Sequence, residues 1–225
     1  MSGLNINPGD QRGFDLSREE MVKRHLESNG IRNSAVLNAF RKVPRHLFVP
    51  PALANRAYDD DALPIGAGQT ISKPYVIARS IEMSKPDSNK SALEIGTGSG
   101  YQAAVMSLLF RHVYSLERIG SLAGSASERL QRLGYTNVTI KNFDGTYGWS
   151  AQAPFDTIIV SAAAPQIPEK LIAQMKEGSV LICPVGNQEN QVLKAITKKR
   201  DNLEIVDIIE CRFVPLVGRY GWNSS

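Results

Sequence analysis

Residues 91–100 read Ser-Ala-Leu-Glu-Ile-Gly-Thr-Gly-Ser-Gly: a short apolar strand with Glu94 near its end, then three glycines on alternate positions. Gly96, Gly98 and Gly100 let the backbone turn tightly, take positive φ and come close to a ligand, with a helix starting near Tyr101. Strand, glycine loop and helix form the first half of a nucleotide-binding βαβ unit, so this stretch decides the fold class. The spacing is not the dinucleotide fingerprint, whose third glycine would fall at 101, where the chain has Tyr. Glu94 matters more, because a carboxylate two residues before the first glycine repels a pyrophosphate and suits an ammonium or a sulfonium. S-adenosylmethionine carries both. A buried strand pair whose glycines only permit close packing is the plainer alternative.

Working outward, His112–Leu116 reads as the next strand, with Glu117 at its carboxyl end. An acid there can accept hydrogen bonds from both hydroxyls of a ribose. Further strands are expected over 137–141, 155–160 and 179–183, and helices over 100–111, 119–134 and 168–176. After Gly186 the segments 191–199 and 203–214 alternate like an antiparallel pair turning at Asp201-Asn202. The fold class is therefore α/β: a doubly wound, mostly parallel sheet with an antiparallel C-terminal edge, its ligand at the carboxyl ends of the first strands.

The other direction is helical. Ser17-Arg-Glu-Glu20 has the form of a capping box, with Gly30 as a stop. Helices are expected at Ser34–Lys42 and, after Pro50-Pro51, over 52–58. Residues 1–15 read as a loosely held tail, and 16–225 as one domain. Its parts are N-terminal helices and a covering loop (16–90), an α/β core (91–186) and C-terminal strands (187–225). Leu63–Pro74 fits neither helical nor strand periodicity and reads as a loop. Pro74 opens a helix over 74–85, placing Thr70 and Ser72 at its N-terminus, where a hydroxyl can meet a carboxylate and Ser72 can act as N-cap.

The 225 residues have ordinary soluble composition, with 42% apolar and 21% charged residues. The start has neither the basic nor the apolar run of a signal or transit peptide, and no stretch reads as a membrane span. Cys183 and Cys211 lie in apolar runs without metal spacing, so neither a disulfide nor a metal is expected. The cytoplasm is the default compartment. The net charge of +4 comes from scattered Lys and Arg, with Lys198-Lys199-Arg200 the one tight run, so no nucleic-acid surface is expected.

Two more groups fall on the ligand edge. Asn142-Phe143-Asp144-Gly145 follows the third strand; Asp144 could accept from an adenine amine with Phe143 against the ring, or the four could be a plain turn. Ser161-Ala162-Ala163-Ala164 ends the fourth strand and leaves room for a substrate.

Taken together the chain resembles the protein-L-isoaspartate O-methyltransferases, over most of residues 18–222. The specific stretches are Val43–Pro50, Gly68-Gln69-Thr70-Ile71-Ser72-Lys73-Pro74, Leu93–Gln102, Asp144-Gly145 with Gly148-Trp149, Ala153–Asp156, Ala162–Pro168, Pro184–Gly186 and Phe213–Gly218. The resemblance implies a Rossmann-like methyltransferase fold, S-adenosylmethionine as methyl donor without a metal, and damaged proteins bearing L-isoaspartyl or D-aspartyl residues as acceptors. The enzyme would act as a monomer. It maps the active-site serine to Ser72 and the loop Gln69, Thr70, Ile71 to the methionine part of the cofactor. It places Glu94, Gly96 and Gly98 at the cofactor's amino-acid end, Glu117 at the ribose and Asp144 at the adenine, with Thr97, Tyr101, Gln102, Arg118, Phe143 and Gly145 also at the cofactor. Thr70, Ser72, Tyr75, Ala162, Ala163 and Val214 would meet the substrate. Phe143 stands where the family often has Gly, and the helix after Glu117 starts unusually rich in glycine.

The implied chemistry needs few side chains. An α-carboxylate, with a pKa of about 3.3 to 3.7, is already ionised at neutral pH and needs no general base. His25, His46 and His112 accordingly read as structural or exposed. Competing readings are an RNA or small-molecule methyltransferase, a non-catalytic cofactor-binding protein and a nicotinamide-dependent reductase. The first is opposed by the absence of an Asn/Asp-Pro-Pro-aromatic motif and by Cys183 preceding its proline; the second by Thr70-Ile71-Ser72; the third by Glu94 and Tyr101.

Overall fold

The computed structural model describes residues 8–223. Seven strands form one sheet in the order β5-β4-β3-β6-β7-β8-β9. They are β3 (Ser91–Ile95), β4 (His112–Glu117), β5 (Val138–Asn142), β6 (Phe155–Val160), β7 (Met175–Gly186), β8 (Gln191–Lys198) and β9 (Leu203–Cys211). The first five run parallel, with Leu93 beside both Tyr114 and Ile158, and β8 and β9 close the edge antiparallel. The expected doubly wound sheet with an antiparallel edge is what forms. Strand order reverses beside β3, which puts a crevice at its carboxyl end.

Both faces of the central strands are buried, and neighbouring residues serve opposite faces. Ala92, Ile159 and Ile182 pack with Leu26, Phe40, Ile81 and Met106 of the N-terminal helices and α4 (Tyr101–Ser107). Leu93, Ile158 and Leu181 pack on the other side with Phe155, Leu171 and Leu216. Burying such side chains contributes roughly 1.5–3 kcal/mol each, before the cost of ordering the chain.

Several expectations move. The first helix, α1 (Pro8–Met21), starts before Ser17 and continues as a π-helical turn over Val22–Glu27. Ser17 is thus inside it, donating to the Gly13 carbonyl at 3.0 Å, and the stretch read as a tail is helical from Pro8 onward. The first seven residues lie outside the described ones. α2 (Ser34–Lys42) forms as expected, with Asn33 as its cap, and Pro51–Arg56 forms 3₁₀ turns. The segment 168–176 is helical only at α6 (Glu169–Ile172), because Met175 already belongs to β7.

The largest difference concerns 63–74. Here β1 (Leu63–Gly66) and β2 (Gln69–Ile71) form an antiparallel hairpin. The periodicity is short, and a turn with positive φ at Gly66, Ala67 and Gly68 (93°, 50° and 68°) closes it. It leads into α3 (Pro74–Met83), whose cap position is Lys73, so Ser72 stands one residue before the cap and is not the helix's N-cap.

Candidate active site

Gly96, Gly98 and Gly100 all have positive φ (94°, 55° and 88°), so the chain turns sharply at the end of β3. A Cβ at Gly98 would lie 3.2 Å from Ile65 Cδ1, which shows how closely the hairpin covers the loop. Gly100 then starts α4. The resulting pocket is walled by the glycine loop, by Gln69–Ser72 of the hairpin, by Glu117–Ile119 after β4, and by Gly145, Ser161, Ala162 and Val214–Val217. The last segment is held along the sheet end by Ala163, whose N–H donates to the Val214 carbonyl and whose carbonyl accepts from Leu216, both at 2.8 Å.

Glu117 sits where the sequence places it. One carboxylate oxygen accepts from the Gly98 N–H and the other from the Ile119 N–H, each at 2.9 Å. A carboxylate has about four acceptor positions, so both oxygens retain capacity toward a diol. Gln69, Thr70, Ile71, Gly96, Thr97, Gly98, Tyr101, Gln102, Arg118 and Gly145 also line this pocket.

Glu94, Phe143 and Asp144 do not. Glu94 is fully buried, because in the parallel register it lies beside Ser115 on the face covered by α4. Ser115 Oγ donates to it at 2.5 Å and Gln102 Nε2 at 3.1 Å. Gln102 also reaches Ser161 Oγ at 2.9 Å, so Glu94 meets the pocket through Gln102. The plain-turn alternative describes Asp144: one oxygen accepts from the N–H and hydroxyl of Thr146 (2.9 and 2.7 Å) and the other from the Arg219 N–H at 2.9 Å. Phe143 turns outward against Tyr147, with Lys141 over its ring.

Burial pushes the Glu94 carboxyl up to about 8 from an ordinary 4.5, against the hydrogen bonds of Ser115 and Gln102, which favour the anion. Nearby Glu117 adds to the rise. Between those values the folded, cofactor-free chain holds a proton that the unfolded chain releases, so this group's contribution to stability falls as pH rises through the window. Urea unfolding at pH 5 and pH 8 should therefore show a loss on the order of a few kcal/mol in the unaltered protein that Glu94→Gln lacks. Equal pH dependence in the two proteins would refute the assignment.

A second cleft adjoins the first and shares Thr70, Ser72, Ser161 and Val214 with it. Tyr75, Asp60, Lys73 and the end of β9 with Arg212 and Phe213 complete its walls. Of the residues expected at the substrate, Thr70, Ser72, Tyr75 and Val214 line this cleft, Ala162 lines only the first pocket, and Ala163 lines neither: it is wholly buried and contributes backbone hydrogen bonds. Ser161 belongs to the small-residue run read as room for a substrate, and it lines both clefts; Asp60 and residues 209–213 were not foreseen, because long-range packing places them. The Ser72 carbonyl accepts from Arg45 Nη2 at 2.8 Å, leaving its hydroxyl for a ligand where the two clefts meet.

His46 is buried with Nδ1 2.7 Å from the Tyr58 hydroxyl, and His112 pairs with Thr139, so both are structural as expected. Both cysteines are free, and the described residues contain no group of three or more His, Cys, Asp or Glu able to hold a metal.

A pocket carboxylate, Glu117, without an ionic partner among the described residues, a glycine turn and a capped strand-end pocket fit a cationic adenosyl cofactor; fold and site together define a class I S-adenosylmethionine-dependent methyltransferase. The sequence profile described as "Protein-L-isoaspartate(D-aspartate) O-methyltransferase (PCMT)" matches residues 16–221, and the chain belongs to that family. The protein-L-isoaspartate O-methyltransferase of Geobacter metallireducens is 50% identical over 213 residues, covering 94% of this chain and 99% of that protein. That of Dictyoglomus thermophilum is 46% identical, covering 96% and 100%. Among solved structures, a protein-L-isoaspartate O-methyltransferase superposes with a TM-score of 0.81 at 30% identity, covering 91% of this chain and 67% of that one. A putative one from Plasmodium falciparum, in complex with S-adenosyl-L-homocysteine, gives 0.76 at 25% identity, covering 88% and 96%.

Proposed function

We propose that the protein transfers the methyl group of S-adenosylmethionine to the free α-carboxylate of L-isoaspartyl, and also D-aspartyl, residues in damaged polypeptides. The observation that carries this reading is the meeting of the two clefts at Thr70 and Ser72, which puts small hydroxyl donors between a cofactor pocket and an open acceptor cleft.

Bound in the first pocket, S-adenosylmethionine supplies an electrophilic methyl group. Glu117 accepts from the ribose hydroxyls, the glycine turn leaves room for the amino-acid end, and Glu94, by accepting from Gln102 Nε2, fixes that amide at the pocket wall. Ser72 Oγ and Thr70 Oγ1 donate to the acceptor carboxylate and hold its attacking oxygen in line, which is the main task because the nucleophile is already an anion. Such positioning is worth up to roughly 7–11 kcal/mol in intramolecular analogues. No residue has to take a proton. The methyl ester then closes to a succinimide without the enzyme, and water opens the ring partly to normal aspartyl. The same reading makes the protein a cytoplasmic monomer that uses neither nucleic acid nor membrane.

Incubation with methyl-labelled S-adenosylmethionine and two peptides differing only in an isoaspartyl or aspartyl linkage tests this directly. Base-labile label is expected on the isoaspartyl peptide alone. Label on RNA, on the aspartyl peptide equally, or on neither peptide would overturn the reading.

A further inference from the structure

Arg45 is a charged side chain with no exposure at all, and among the described residues no carboxylate forms an ion pair with it. Its donors go to three backbone carbonyls: Ala57 at 2.7 Å, Asp61 at 3.4 Å and Ser72 at 2.8 Å. Nη1 has no partner. The guanidinium lies 4.8 Å from the ring centre of Tyr101, a wall of the cofactor pocket. Burial pulls its pKa down to about 10, with Tyr101 and Asp60 opposing the fall, so it stays charged at neutral pH. A buried cation without a counter-ion is costly, and tying down a surface loop does not by itself require one.

The bond to Ser72 has a directional consequence. A trans peptide unit is planar with its C=O and N–H on opposite sides, so turning the Ser72 carbonyl toward Arg45 turns the Lys73 N–H away from it. That N–H has no acceptor among the described residues, and Ser72 and Lys73 both line the acceptor cleft. A carbonyl polarised by a guanidinium also makes the N–H of the same peptide unit a stronger donor.

We infer that Arg45 is a positioning residue for the methyl acceptor: through the Ser72 carbonyl it aims the Lys73 N–H, beside the Ser72 hydroxyl, at the acceptor carboxylate. The inference rests on reading Ser72 as the acceptor site. If the unaltered protein leaves isoaspartyl peptide unmethylated, that reading fails first; the variants below bear on the inference alone.

Lys73 has φ −52° and ψ 139°, which a proline ring adopts without strain, so Lys73→Pro deletes the N–H while keeping the backbone path. Lys73→Ala is the control for the lost side chain. Lys73→Pro is expected to lower kcat/KM for isoaspartyl peptide about 10- to 100-fold below Lys73→Ala, the effect of one hydrogen bond to a charged group. Affinity for S-adenosylmethionine, measured calorimetrically, should stay within about threefold. Arg45→Met should give a similar peptide-specific loss, and Arg45→Lys, which keeps one charged donor, should recover part of it. Lys73→Pro no worse than Lys73→Ala would overturn the inference, as would equal losses for peptide and cofactor in Arg45→Met. Should Arg45→Met fail to fold, the comparison of the two Lys73 variants decides.

Discussion

Replacing Glu117 by alanine raises the dissociation constant for S-adenosylmethionine about 100- to 1,000-fold, the largest single effect expected at this site. Each hydrogen bond to a charged group is worth about 1.5–3 kcal/mol, and two ribose hydroxyls would share this carboxylate. The change also leaves the Gly98 and Ile119 N–H groups without the acceptors they have at 2.9 Å, so the glycine turn loses its clasp to the end of β4. Glu117→Gln separates these effects. It keeps one acceptor and the shape but loses the charge, and should fall between alanine and the unaltered protein. Calorimetric titration of all three proteins with cofactor and with its demethylated product decides the matter. Near-equal affinities in the alanine variant would remove Glu117 from the cofactor site.

Ser72→Ala acts on the other side of the methyl group. It should lower kcat for isoaspartyl peptide about 10- to 100-fold, since an acceptor carboxylate loses one charge-assisted hydrogen bond and with it the alignment that brings the reacting atoms together. Cofactor affinity should change by less than about threefold, because the hairpin backbone, held by Arg45 at the Ser72 carbonyl, is untouched. Steady-state kinetics at saturating cofactor, beside a direct binding measurement, separates the two quantities. Unchanged turnover, or lost cofactor affinity with turnover intact at saturation, would count against the assignment.

How far the sequence carried this picture depends on the range of the forces involved. Strand ends, the glycine turn and Glu117 were legible because local patterns of apolar residues and glycine decide them. Glu94 stood out in the sequence as a lone acid before the glycines, but its burial did not: its alternation along β3 sends it under α4, and pairing with Ser115 is a matter of register between two strands. Asp144 was left open between two readings for a similar reason, since its second partner, the Arg219 N–H, is 75 positions away in the chain. The hairpin at 63–71 escaped because four- and three-residue strands carry too short a period to read. Arg45 gave no warning of its role, as nothing in Val-Pro-Arg-His-Leu says that the guanidinium reaches Ser72, 27 positions on.

The shared wall between the two clefts also has a use in inhibitor design. Thr70, Ser72, Ser161 and Val214 face both spaces, so one molecule could occupy them together without crossing a barrier of protein. An adenosyl group joined by a short linker to a carboxylate would turn its second contact into an intramolecular event, at an effective concentration on the order of millimolar. On the proposed reading of the junction at Ser72 as the acceptor site, its selectivity would come from the carboxylate half, which engages the hydroxyl-lined junction beside Arg45.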